Sequence, residues 1–219
     1  MQDVELACRA ARRLGVPPTE LWAFVSRHHD LLPQGFPPAQ HRDATVAELR
    51  QVAGAIARVS SPGDALLFVG ANHGDRGLGL IVSTPPPDPL LHDELTEDPE
   101  PLTPEALASC LDSIAGQQIL LIGACYSGMF CRIAQEQRRA VLTACDDTEV
   151  WSARRGDTWC SAFLAPIFEW WTGEMIGGAP PVERLPLDDA FERVRKGFRQ
   201  TTRQGAAIVP RRAGTAHWP

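Results

Sequence analysis

Residues 117–128 read QQILLIGACYSG. Ile119, Leu120, Leu121 and Ile122 run without a polar interruption, and the run halts at Cys125, with Tyr126, Ser127 and Gly128 directly behind. Uninterrupted apolar runs of this length mark strands buried on both faces, as in sheets covered by helices on each side. The same design occurs upstream in ALLFVGANHGDRG (65–77), where the run ends at Asn72, His73, Gly74 and Asp75. A third run, AVLTAC (140–145), ends at Asp146, Asp147, Thr148 and Glu149.

Helical patterns separate these strands. Val4, Ala7, Ala11 and Leu14 fall at helical spacing, with Gly15, Pro17 and Pro18 as a stop. Thr45 and Glu48 form a Thr-x-x-Glu capping box ahead of Val46, Leu49, Val52, Ile56 and Val59. Thr103 followed by Pro104 opens a helix to about Ala115. Further helices are expected over 159–172 and 187–203, and a short one after Gly128. LWAFVS (21–26) is strand-like, and His28 to Pro38 spell an irregular loop. Residues 84–101 are too rich in proline and acid to pack and form an exposed loop, while 204–219 form a C-terminal tail. Strands alternating with helices imply an α/β fold, a three-layer sandwich around a mainly parallel sheet, within a single domain spanning 1–219.

A formal net charge of -6 without a long Lys/Arg block excludes an electrostatic footprint for nucleic acid or an anionic membrane surface. No apolar stretch reaches membrane-spanning length, and the first residues lack the apolar core of a signal peptide, so a cytoplasmic protein is expected. In that setting the six cysteines (8, 110, 125, 131, 145 and 160) are read as thiols. None of them shows zinc-ligand spacing, so neither a metal nor another cofactor is expected.

Sites in open parallel sheets form outside the carboxyl ends of the strands. Here that edge gathers a histidine, a cysteine and a cluster of acids. A thiol attacks as its thiolate and needs a base within reach, and His73 is the one histidine that directly follows a buried strand. Backbone amides of Gly74 and Cys125 are the candidates for holding an oxyanion. Taken singly, a cysteine after an apolar run is most often an inert small hydrophobe, and a histidine beside glycine is often a turn residue. Together they favour chemistry, because both strands are otherwise wholly apolar. A nucleophile elbow with cysteine in G-x-S-x-G fails on spacing, since Ser127 stands where the second glycine belongs.

ALLFVGANHGDRG and QILLIGACYSG together resemble the histidine and cysteine boxes of the caspase-like (clan CD) cysteine peptidases. His73 precedes Cys125 by about fifty residues, as in that group. GACYSG is closest to the A-C-x-S-G form of the legumain family, especially its small bacterial members. ACRAARRLGVPPTELWAF and LTACDDTEVWSARRGDTWCSAFLAPIFEWW are similar to further family segments, so the likeness extends over most of the chain. The resemblance implies a caspase-like sandwich, Cys125 as nucleophile, His73 as general base and acid, Gly74 and Cys125 amides as oxyanion donors, and no third catalytic residue. It implies supporting roles for Asn72 and Ser127. It also places Asp146, Asp147 and Glu149 beside a substrate pocket for a basic or asparagine P1 residue of a peptide or protein substrate.

The chain departs from the family in beginning almost at its first helix, without the usual first strand. Three accounts are open: LWAFVS pairs directly with ALLFVGA, a partner or activator protein supplies the strand, or the natural start lies upstream. The expected function is a cysteine endopeptidase. An inactive caspase-like binding or regulatory module, and a cysteine-dependent acyl transferase or ligase, are the alternatives.

Overall fold

The computed structural model describes residues 2–25, 40–82, 101–155, 158–176, 180–201, 204 and 207–215. The loop expected at His28 to Pro38 and residues 84–100 of the Pro/acid loop lie outside these residues. In chain order the elements are α1 (Gln2–Arg13), β1 (Ala23–Val25), β2 (His41–Asp43), α2 (Val46–Ala57), β3 (Ala65–Gly70), β4 (Gly74–Asp75), β5 (Gly79–Ile81), β6 (Pro101–Leu102), α3 (Pro104–Leu111), β7 (Gln117–Ile122), β8 (Arg139–Thr143), β9 (Ser152–Arg155), β10 (Thr158–Ser161), α4 (Leu164–Thr172), α5 (Leu187–Gly197) and β11 (Arg211–Ala213). A 3-10 helix, Ser127–Ile133, occupies the place of the short helix expected after Gly128.

The central sheet has the order β11-β8-β7-β3. β3 and β7 pair in parallel from Ala65↔Gln117 to Gly70↔Ile122, β7 and β8 are parallel, and β11 closes the far edge antiparallel to β8. The protein is thus mixed α/β around a mainly parallel sheet. Alternation along β7 explains its unbroken apolar run. Ile119 and Leu121 enter a core with Leu6 and Ala10 of α1, Ile167 and Phe168 of α4, and Phe191 of α5. Leu120 and Ile122 enter a second core with Val46 and Leu49 of α2 and Leu107 and Leu111 of α3. All four are wholly buried. At roughly 1.5–3 kcal/mol per buried aliphatic side chain, they supply on the order of 6–12 kcal/mol before chain entropy is charged.

Both anticipated helix starts carry their caps: Thr45 Oγ1 accepts from Glu48 N–H at 3.2 Å, and Thr103 Oγ1 from Ala106 N–H at 3.1 Å. Other expectations need correction. Residues 159–161 belong to β10, which pairs antiparallel with β9, so the helix expected from 159 begins only at Leu164. The expected tail contains β11, an edge strand of the main sheet. β1 forms from LWAFVS but pairs in parallel with β2, not with β3, which rules out direct pairing between LWAFVS and ALLFVGA among the described strands. No described helix is long and apolar enough to cross a membrane.

Among the described residues β3 is consequently the outermost strand of its sheet. Beside it lies a trough of about 930 Å³ lined by α1, β1, α2 and β3. The trough is partly open to solvent, so water or polypeptide fills it.

Candidate active site

The two loops named from the sequence meet at the carboxyl ends of β3 and β7. On the β3 side, Asn72 fixes the turn: its Nδ2 donates to Ile81 O at 2.5 Å while its Oδ1 accepts from His73 N–H at 2.8 Å. Ile81 N–H donates to His73 O at 3.0 Å. The histidine backbone is thereby tied to the β4–β5 hairpin, and its side chain is left exposed.

Gly74 is the point of contact. A Cβ built there would lie 1.9 Å from Cys125 O and 3.3 Å from Cys125 N. Only a residue without a side chain allows the two backbones to touch in this way. On the β7 side, Gly123 N–H continues the ladder to Gly70 O at 2.8 Å, and a Cβ at Gly123 would meet Leu164 side-chain atoms at 2.6 Å. Glycines therefore set both the level of the cysteine above the sheet and its contact with the histidine turn.

Cys125 is half-buried, and its sulfur lies against the backbone of Val150: Val150 N–H donates to Sγ at 3.3 Å, and Val150 O is 3.5 Å from it. Among the described residues no hydrogen bond joins the His73 ring to the thiol, and Cys125 N–H donates to none of them. Tyr126 follows in the left-handed region, φ 54°, an unfavourable conformation for an aromatic residue. It is held there by its own N–H, which donates to Thr148 O at 2.8 Å, and by its hydroxyl, which donates to Glu149 Oε1 at 3.3 Å. Desolvation, then the Glu149 charge, pushes the phenol pKa upward. Ser127 is buried, its Oγ 3.5 Å from Cys145 Sγ. Gly128 N–H donates to Asp146 O at 3.1 Å.

The loop after β8 thus wraps the cysteine turn, and the three acids singled out in the sequence are all on it. Two are held by arginines: Asp146 by Arg211 at 2.5 Å and Asp147 by Arg76 at 2.6 Å. Glu149 accepts from Tyr126. Arg76 belongs to the histidine hairpin, so its pair with Asp147 ties that hairpin to the acid loop. The arginines stand 71 and 65 residues from their partners, and no local pattern could have found them. Val150 was missed for the same reason, because it acts through its backbone. Trp151, next to it, is 44% exposed and anchored by Gln200, which accepts from its N–H at 2.9 Å and donates to its O at 2.7 Å.

Compared with models of known protein families the chain matches none, and no curated protein matches it. The candidate site therefore rests on its own geometry and on the two sequence boxes.

Proposed function

We propose that the protein is a cysteine endopeptidase of the caspase-like, legumain-related type, working with a His73/Cys125 dyad. The observation that carries this reading is the backbone contact of Gly74 with Cys125, which sets His73 and the thiol on adjoining turns at one sheet edge. His73 takes the proton from Cys125 Sγ, and the sulfur forms a bond to the scissile carbonyl carbon as the carbonyl electron pair moves to oxygen. The N–H groups of Cys125 and Gly74 receive that oxyanion. Collapse breaks the C–N bond, and His73 returns its proton to the leaving amine. Water, deprotonated by His73, then releases the acyl group from sulfur.

A basic or asparagine P1 residue is the expected preference. Glu149 sits over the cysteine turn, whereas Asp146 and Asp147 meet a substrate only by exchanging their arginines. Acyloxymethyl ketones with Arg, Asn or Asp at P1, followed by mass mapping, test the reading. Labelling of Cys125 that vanishes in His73→Ala is expected. Transfer of the acyl group to an added amine in place of water would redirect the assignment to a ligase.

The open edge of β3 favours a second reading, a caspase-like regulatory module. The strand that leads to His73 has a neighbour on one side only among the described residues. Failure of every P1 variant to label folded protein would decide for that reading.

A further inference from the structure

β3 and β7 both carry an unbroken apolar run, yet Ile119 to Ile122 of β7 are wholly buried while Ala65 to Val69 of β3 stay half-buried. The difference lies at the outer edge of β3. Asp64 O accepts from Gln117 N–H and Gly70 O from Gly123 N–H, so the even-numbered residues face β7. Alternation turns the N–H and C=O groups of Ala65, Leu67 and Val69 outward, where no described strand meets them. An edge of this kind, long and apolar, is a template for another strand.

The trough at that edge has the walls of a strand site. Ala7 and Ala11 of α1 and Leu14 just beyond it line it, as do Val46, Leu49 and Val52 of α2. Ala23 and Phe24 of β1, from a separate sheet, line it as well. Val59, also on the lining, is 81% exposed. The charged residues among the described lining are Asp3, Glu20 and Asp64, all acidic.

We propose that this trough receives a β-strand from a partner polypeptide: an apolar run of about six residues, matching the length of β3, flanked by basic residues. Main-chain hydrogen bonds to Ala65, Leu67 and Val69 would supply the affinity, apolar side chains on both faces of the strand would fill the space between α1 and α2, and the basic flanks would meet the acidic lining. A second copy of this chain is the wrong occupant, since its net charge is -6 and its own trough is acid-lined. The Pro/acid segment 84–101 is also the wrong chemistry, because its proline-free run, 90–98, carries four acids towards an acidic lining and its prolines cannot donate to a ladder. The inference stands whether or not the dyad is active.

The probe is the synthetic peptide KKVIVLVIKK, titrated into the full chain with residue-resolved amide exchange. One-to-one binding is expected, with exchange at Leu67 and Val69 slowed at least tenfold and little change at Leu66 and Phe68, which already face β7. Alternate N-methylation of the peptide, or replacing its lysines with glutamates, should weaken binding at least tenfold. No binding, binding indifferent to N-methylation, or protection located elsewhere overturns the proposal. So does protection of Ala65, Leu67 and Val69 in the peptide-free protein: in a dimer it would make a second copy the occupant, and in a monomer this chain's own residues.

Discussion

Gly74→Ala is the sharpest test of how the two turns are joined. Gly74 has no positive φ to relax, so the effect of a methyl group is steric alone. The new Cβ would fall 1.9 Å from Cys125 O. Ordinary contact needs about 3.4 Å or more, so one backbone must retreat by roughly 1.5 Å. Overpacking of this kind costs about 1–3 kcal/mol in stability. The chemical effect should be larger, since a displacement near 1 Å within a catalytic constellation can lower rates about a hundredfold. Gly77→Ala on the same hairpin is the control. Its φ of +91° makes alanine strained, but nothing lies within 4 Å of its Cβ, so it should cost about 1 kcal/mol without moving Cys125. The assay pairs urea unfolding with the rate of Cys125 labelling by the preferred acyloxymethyl ketone. If Gly74→Ala folds with parental stability and labels at the parental rate, the contact does not position the dyad and the reasoning fails.

Further outcomes follow from single groups. Burial, with the Glu5 carboxylate adding to it, raises the Cys8 thiol to about 12 from an ordinary 9.0. The folded state therefore keeps a proton that the unfolded chain loses, so this stabilisation is intact below about pH 9 and drains as pH rises towards 12. Cys8→Ala should flatten the alkaline fall in unfolding free energy by up to about 1.4 kcal/mol per pH unit, and an unchanged slope would refute it. Arg139 is wholly buried, donating to Gln118 Oε1 at 2.6 Å, Ile133 O at 3.3 Å and Asp112 Oδ1 at 2.7 Å. Arg139→Ala takes the donor from buried Gln118 Oε1 and from Ile133 O, while the exposed Asp112 carboxylate is rehydrated, and should cost about 2–4 kcal/mol in a denaturant titration; a loss under 1 kcal/mol would show the network to be dispensable. Gly54→Ala lies within α2 with open space around it and should raise stability by about 0.5–1 kcal/mol. Thr103→Ala removes the α3 cap and should lower stability by about 1 kcal/mol, both read as shifts in unfolding midpoint.

The strands ALLFVG and QQILLI were legible because burial on both faces demands an unbroken apolar run, and the two cores on opposite sides of β7 supply that demand. Thr45 and Thr103 were legible because a cap is local. β2 (His41–Asp43) and β11 (Arg211–Ala213) were not, because strands of three residues, all or mostly polar, leave no hydrophobic period to read. Residues 159–161 were assigned to a helix because their apolar content continues into α4, while β10 depends on pairing with β9.

By itself, the sequence determined which chain segments are buried strands and that a histidine and a cysteine end two of them, since alternation and capping act between near neighbours. Tertiary structure alone decided three things. Gly74 lies on the Cys125 carbonyl, Arg76 and Arg211 hold the acids expected to face substrate, and β3 is the last described strand of its sheet, beside a trough. These are contacts between residues distant in the chain. Their geometry is set by how the layers close over the sheet, a constraint that no local pattern of residues carries.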